Sequence, residues 1–254
     1  MTYWYYPGCT LKAAAAEFER SALHCAKLLG LTLQELPQWQ CCGGVSVMAE
    51  DELAPRLAAI RALAACEATP LVTLCSACHN VLKQTNYDLT HHPELADKAS
   101  NYLETEYHGE TKVLHFLEVL RDVIGFDQIQ AAVKAPLSGK KIAPYYGCLL
   151  LRPGNVLQLD DPERPRILSD FLTALGAEPV SFPLWNECCG GYAVTQDQEL
   201  CRRRRTAVTE SAREWGAEMI VTACPLCHYH ISKTDLPVVY FTELLEQALG
   251  GNEK

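Results

Sequence analysis

Short apolar runs alternate along this chain with longer stretches in which apolar residues recur every three or four positions. Thr2 to Tyr6 is aromatic and β-prone and is stopped by Pro7-Gly8, which predicts a strand. Leu11, Ala15, Phe18, Ala22, Cys25 and Leu29 then share one helical face, with Gly30 as the stop. Leu31 to Leu36 predicts a second strand ended by Pro37. Ala49 to Glu67 predicts a helix with Leu53, Leu57, Ile60 and Ala64 on one side. Pro70 to Leu74 is a short apolar strand, with a helix expected from Cys78. Residues 86–109 are polar and read as mostly helical, and Val113 to Leu120 reads as strand running into helix.

The same plan then returns. Lys141 to Tyr146 predicts a strand, Arg166 to Leu175 a helix stopped by Gly176, and Glu178 to Pro183 a second strand. Asp197 to Trp215 predicts a helix, Glu218 to Ala223 a strand, and Val238 to Leu245 strand into helix. Alternating strand and helix predicts an α/β fold, with two pseudo-symmetric Rossmann-like halves and mainly parallel sheets. Ala135 to Gly139 is the expected boundary, giving an N-terminal domain over 1–134 and a C-terminal domain over 140–254.

Cysteine sharpens the repeat. Each half carries a lone cysteine after its first strand, then a Cys-Cys-Gly-Gly, then a Cys-x-x-Cys-His. These are Cys9, Cys41-Cys42 and Cys75/Cys78, and then Cys148, Cys188-Cys189 and Cys224/Cys227. Cys148 follows Cys9 by 139 positions, Cys188 follows Cys41 by 147, and Cys224 follows Cys75 by 149. Tyr240-Phe241 follows His115-Phe116 by only 125, because the 86–109 stretch has no second copy. All ten thiols fall at predicted carboxyl ends of strands, the edge where open α/β sheets place their sites.

Composition narrows the chemistry. The chain has 254 residues, 48% of them hydrophobic and 21% charged, as in a globular protein. A net charge of −9 argues against nucleic acid as a partner. The first residues lack the basic and apolar regions of a secretory signal, and no apolar run is long enough to span a bilayer, so a cytoplasmic location without membrane insertion is expected. Thirteen cysteines in that compartment ask for metal or redox chemistry rather than a disulfide framework.

Consecutive strand side chains point to opposite faces, so a doublet can serve one centre only if the chain turns there, which Gly43-Gly44 and Gly190-Gly191 allow. Five thiolates suit a polynuclear iron–sulfur centre. The alternatives explain less. Four-cysteine zinc sites leave one thiol idle in each half. Thioredoxin-like use of the Cys-x-x-Cys pairs ignores the lone cysteines and the doublets, and c-type haem attachment requires export. Cys25, Cys66 and Cys201 read as core thiols. His79 and His228 are candidate proton donors, though support of the neighbouring thiols is their plainer role. Arg152 is a candidate for holding an anionic substrate. Arg202 to Arg205 reads as a solvated face or a contact between subunits.

With the ten cysteines aligned, the chain resembles the B subunit of the CoB–CoM heterodisulfide reductase family, with its two cysteine-rich CCG domains. The matching runs are Tyr5-Tyr6-Pro7-Gly8-Cys9-Thr10-Leu11, Cys41-Cys42-Gly43-Gly44 and Cys75-Ser76-Ala77-Cys78-His79-Asn80. In the second half they are Tyr145-Tyr146-Gly147-Cys148-Leu149-Leu150, Arg152-Pro153, Cys188-Cys189-Gly190-Gly191 and Cys224-Pro225-Leu226-Cys227. The resemblance implies two non-cubane [4Fe–4S] clusters held by those ten cysteines and a disulfide substrate reduced between them. It also implies electrons from a ferredoxin-like C subunit, fed in turn by a flavin and iron–sulfur A subunit. One departure is that 32 and 34 residues separate doublet from Cys-x-x-Cys, slightly fewer than the family's usual spacing. Related CCG proteins serve lactate or glycolate oxidation and fumarate reduction, which gives a second reading as an electron-transfer subunit. A zinc-stabilised, non-catalytic scaffold is the third.

Overall fold

The fold comes from a computed structural model that describes residues 1–44 and 53–251. Its first sheet contains β1 (Thr2–Tyr6), β2 (Thr32–Glu35), β3 (Leu71–Thr73) and β4 (Val113–His115), in the order β2-β1-β3-β4. Its second contains β5 (Lys141–Tyr145), β6 (Glu178–Pro179), β7 (Met219–Thr222) and β8 (Val238–Tyr240), in the equivalent order β6-β5-β7-β8. Every strand pair is parallel, and the registers correspond: Tyr5 pairs with Val72 as Pro144 pairs with Val221. The two-half α/β expectation is therefore met. Helices cover the sheets, and every residue of β3 and β4 is buried, as continuous apolar runs in parallel sheets require. The edge strand β2 is polar and mostly exposed, anchored by the buried Leu31 and Leu36 at its ends.

Local departures have physical causes. The predicted helix over Leu11–Leu29 is broken into Cys9–Ala13 and Ala16–Leu28. At the break the Ala14 and Ala15 amides both return to the Thr10 carbonyl, and Ala15 lies at φ −128°. Leu11, Ala15, Phe18, Ala22 and Cys25 are nonetheless all buried, so the apolar stripe survives although the axis bends. The helix expected over 49–67 appears as a 3-10 turn, Ala54–Arg56, and a helix, Leu57–Ala64, with 49–52 outside the described residues. The strand expected over 178–183 has only two residues, because Pro179 and Pro183 have no N–H to give a ladder. The helix expected from Cys78 begins earlier, at Ser76, and runs to His91. A second helix, Pro93–Leu103, follows it.

Residues 133–140 join the halves without helix or strand. The main core nevertheless continues across that junction. Phe18 stacks on Tyr240 at 4.2 Å and meets the edge of Phe241, which also packs on Phe116 and Phe171. Around these rings Arg20 forms a two-pronged ion pair with the buried Glu246, at 2.7 and 2.6 Å. Ser21 and Thr242 share a hydrogen bond of 2.6 Å. The last helix, Phe241–Ala248, thus packs against the first half of the chain.

Candidate metal centres at the carboxyl edges of the sheets

In each sheet the first strand lies between the second and third, so the chain leaves β1 or β5 in opposite directions on its first two crossovers. The crevice outside the carboxyl ends at such a reversal is the usual ligand site of an open parallel sheet. Here that crevice is filled with sulfur. Cys9 opens the helix after β1, and Cys75 is the extended N-cap residue of the Ser76–His91 helix after β3. Cys224 caps the Pro225–Ile231 helix in the same way after β7.

The thiols of each half join in one chain of contacts. Cys9 Sγ lies 3.3 Å from Cys41 Sγ, and Cys42 Sγ lies 3.4 Å from Cys78 Sγ. Cys41 also bonds Cys42, and Cys75 bonds Cys78. In the second half Cys148 bonds Cys188, Cys188 bonds Cys189, Cys189 bonds Cys227, and Cys227 bonds Cys224. Position for position the order is identical. The outer rim of each nest is the lone cysteine and the first of the doublet: Cys9 and Cys41 are exposed, and Cys148 and Cys188 partly so. The other six are buried.

Backbone shape makes these nests. Gly43 and Gly190 take φ of 75° and 85°, which turns each doublet back on itself. The following amides then point at sulfur: Gly190 N–H meets Cys188 Sγ at 3.3 Å and Gly191 N–H meets Cys189 Sγ at 3.4 Å. Gly43 and Gly44 do the same for Cys41 and Cys42. A side chain at Gly8 would meet Cys78 Sγ at 2.7 Å, and one at Gly147 would meet Cys227 Sγ at 3.1 Å. Below each nest stands the last aromatic of the first strand. Tyr6 donates to the Gln40 carbonyl, and Tyr145 donates to the Glu187 carbonyl at 2.6 Å, each carbonyl belonging to the residue before a doublet.

The electrostatics favour thiolate at chosen points. Cys42 is held down to about 7, chiefly by its hydrogen bond with the Cys78 thiol, with help from the Gly44 amide against burial. Cys188 is also lowered, by donation from Cys148 and Cys189, the Gly190 amide and the Arg204 charge. Their partners, Cys78 and Cys148, are correspondingly raised. Each nest thus favours thiolate at particular sulfurs, supported by neighbours that keep their protons, and a bound metal would have to displace those remaining protons. Among the described residues no group of three or more His, Cys, Asp or Glu side chains forms a site for a metal ion. Five sulfurs strung along a rim, with amides aimed at them, fit a polynuclear group better than one tetrahedral ion.

The remaining candidates lie beside the nests. His79 is fully buried, with Nε2 3.1 Å from Glu118 Oε2 and Nδ1 without a partner, and burial lowers its pKa. His228 is stacked on Tyr240 at 4.1 Å, and burial lowers it too. The Arg152 guanidinium donates to the carbonyls of Asn186 and Pro162 and to Glu163, so it fastens the loop beside Cys148. Cys25, Cys66 and Cys201 are buried as expected, and Cys201 donates to the Gly190 carbonyl at 3.0 Å.

Sequence reasoning passes over Tyr192, which directly follows Cys188-Cys189-Gly190-Gly191. Its hydroxyl crosses to the other half and donates to the Gly44 carbonyl at 2.6 Å. After burial, the thiols of Cys224, Cys148, Cys75 and Cys42 raise its pKa, so this phenol stands near both nests at once. Its place immediately after the doublet is the signal that could have found it.

Comparison with known proteins agrees with this geometry. The cysteine-rich CCG domain family matches residues 3–83 and 142–232, one match for each nest. The 8-methylmenaquinol:fumarate reductase membrane anchor subunit of Wolinella succinogenes is 31% identical over 97% of this chain and 91% of its own length. The B subunit of the ferredoxin/F(420)H(2)-dependent CoB-CoM heterodisulfide reductase of Methanosarcina acetivorans is 27% identical over 96% of this chain and 88% of its own. Among solved structures, a hypothetical protein from Helicobacter pylori superposes with a TM-score of 0.77 at 12% identity. That match covers 98% of this chain and 49% of the Helicobacter chain, and it speaks to the fold alone. Among the described residues no helix is long and apolar enough to cross a membrane.

Proposed function

The chain belongs to the cysteine-rich CCG domain family, and on that premise we propose that it is the iron–sulfur subunit of a heterodisulfide reductase-like complex. In this reading it reduces a disulfide in the crevice between its two nests. Relatives named as the B subunit of heterodisulfide reductase make it an oxidoreductase subunit, with partner subunits to supply electrons. We assign that supply to a ferredoxin-like C subunit and a flavin and iron–sulfur A subunit, in the cytoplasm.

One observation carries the reading: Tyr192, three residues past Cys189, donates to the Gly44 carbonyl, two residues past Cys42, at 2.6 Å, so the two doublet turns lie side by side. In this reading the two sulfurs of one disulfide are reached from the two nests together. Cleaving R–S–S–R′ consumes two electrons and two protons and yields two thiols. A [4Fe–4S] centre of non-cubane type in each nest would supply single electrons and Lewis-acidic iron. The chain itself would hold the ten sulfurs, with Cys9, Cys41, Cys42, Cys75 and Cys78 in one nest and Cys148, Cys188, Cys189, Cys224 and Cys227 in the other. Its glycine amides neutralise their charge, and its buried tyrosines keep water from the floor of each nest. His79 and His228, the one enclosed and the other stacked, brace the Cys-x-x-Cys helices.

The second reading, an electron-transfer subunit of a fumarate reduction or lactate or glycolate oxidation complex, is favoured by the 31% identity to the Wolinella protein. Chain purified without oxygen decides between them. About eight irons per chain and thiol release from a mixed disulfide, driven by a reduced viologen, supports the first. Iron without thiol release supports the second. About two zincs and no iron would leave only a scaffold.

A further inference from the structure

Among the described residues Asn80, Ser76 and Tyr192 cross from one half to the other beside the thiols, and each joins the neighbourhood of one nest to that of the other. Asn80, two residues after Cys78, gives both amide hydrogens to the second half's lone-cysteine loop: to Leu149 O at 2.8 Å and Arg152 O at 2.7 Å. Ser76, next to Cys75, donates to the carbonyl of Ala223, next to Cys224, at 3.0 Å. Tyr192, three residues after Cys189, donates in return to Gly44, two residues after Cys42, at 2.6 Å. Asn80 and Ser76 are buried, at 5% and 1% exposure, so their bonds are not traded freely for water. The cross-half contacts of Arg20 with Glu246 and of Ser21 with Thr242 lie on the last helix and touch no nest-forming segment, while Lys83 and Arg121 reach Leu157 O and Leu159 O farther from the thiols.

We propose that these three side chains latch the two nests to each other, so that ordering one nest orders its neighbour and the two metal centres load as a pair. A nest without its ligand is a set of turns and helix ends with few internal restraints, and such segments open locally at low free energy. Fixing the Cys75–Cys78 helix start by metal also fixes Asn80 and Ser76. They in turn hold the Cys148 loop and the Cys224 helix start where the second centre needs them. Fixing the Cys188-Cys189 turn fixes Tyr192, which holds the Cys41-Cys42 turn. Coupling of this kind is reciprocal by necessity, whichever nest fills first. Asn80, Ser76 and Tyr192 are thus positioning residues, each serving the nest in the opposite half.

The latch does not depend on the identity of the metal group; the paired loading rests on the iron–sulfur reading. Two measurements on the full chain separate them. In the metal-free chain, each thiol's rate of alkylation by N-ethylmaleimide is read by mass spectrometry. Tyr192→Phe is expected to speed labelling of the buried Cys42 on the order of tenfold, the size of one lost hydrogen bond, and Asn80→Ala, which loses two, to speed that of Cys148 by at least about as much. Arg20→Gln, which breaks a cross-half contact away from the nests, should leave both rates alone. If Asn80→Ala fails to fold, Asn80→Asp keeps the shape while turning an oxygen toward the two carbonyls, and it carries the same expectation. Unchanged rates overturn the latch.

In the second measurement, iron and sulfide are supplied at half the amount needed for full loading, and native mass spectrometry counts the centres on each chain. Independent nests would leave about half of the chains with one centre. Paired loading is expected to leave mostly chains with none or two, and Tyr192→Phe to restore the one-centre form. An independent distribution in the unsubstituted chain overturns the coupling. A chain that takes up no iron overturns the iron–sulfur reading instead, while the alkylation rates still decide the latch.

Discussion

The two glycines ahead of the lone cysteines offer an internally controlled perturbation. Gly8 and Gly147 have φ of 73° and 63°, so an alanine at either position carries a similar backbone penalty, about 1 kcal/mol. They differ in what the new methyl group meets. At Gly8 it would stand 2.7 Å from Cys78 Sγ, and at Gly147 3.1 Å from Cys227 Sγ. Comfortable contact begins near ~3.5 Å, so the sulfur or the backbone must yield by roughly 0.8 Å in the first case and about half that in the second. Cys78 is enclosed, at 4% exposure, and Gly8 belongs to the turn between β1 and Cys9, so neither has room to retreat. Gly8→Ala should therefore lower the stability of the metal-free chain by about 2–3 kcal/mol and Gly147→Ala by about 1–2 kcal/mol, read by urea denaturation. The larger effect should be on metal. Moving one sulfur by most of an ångström spoils a five-sulfur rim, so Gly8→Ala should lose the first centre and, through the coupling of the nests, much of the second, and Gly147→Ala should retain more iron. Full iron content and unchanged stability in Gly8→Ala would refute the claim that Cys78 Sγ occupies the space against this glycine.

Three further outcomes follow from the packing and its charges. Phe241→Ala removes a fully buried ring that packs on Phe18, Phe116 and Phe171, and should cost about 3–5 kcal/mol. Because the core is shared, the calorimetric trace should keep one transition, and two would contradict a continuous core. His115 is held neutral at a pKa of about 3, by burial first and then by the neighbouring His79. Its ring accepts from Leu117 N and donates to Leu74 O. The unfolded chain takes up that proton near pH ~6.5, so stability present above that pH is lost as pH falls toward the folded value. About 2 kcal/mol should go between roughly pH 6.5 and 4.5 in urea titrations, and a flat profile would count against the buried neutral ring. Asp197→Ala removes the carboxylate that accepts from Leu200 N at 2.8 Å at the start of the Gln198–Glu214 helix, and should cost about 1 kcal/mol in the same titration.

What can be read ahead of the structure is whatever depends on neighbours along the chain. The lone and Cys-x-x-Cys thiols are legible because each follows closely on a strand end, which periodicity locates well, whereas the doublets lie in longer loops beyond β2 and β6 and are read from the repeat itself. The stripe from Leu11 to Cys25 is legible for the same reason, while its break is not. Ala13 to Ala16 is a helix-forming run, yet the chain bends at Ala15, where the Ala14 and Ala15 amides share the Thr10 carbonyl, a geometry that local propensity does not announce. The brevity of β6 could have been taken from Pro179 and Pro183, since a residue without an N–H cannot continue a ladder.

The residues between the nests are hidden for a different reason. Asn80, Ser76 and Tyr192 are polar side chains with no periodic or compositional mark, and each acts on a carbonyl between 69 and 148 positions away. An amphipathic pattern says which face of a helix is apolar, and it is silent on which backbone oxygen a side chain will find. The halves also use different residues for the purpose. Asn80 corresponds by position to Tyr229, and Ser76 to Pro225, neither of which can make the same bond. A repeat that preserves its thiols but not its cross-links has divided the labour. Both copies keep the five thiols, and each supplies a different part of the hydrogen bonding that ties it to the other copy.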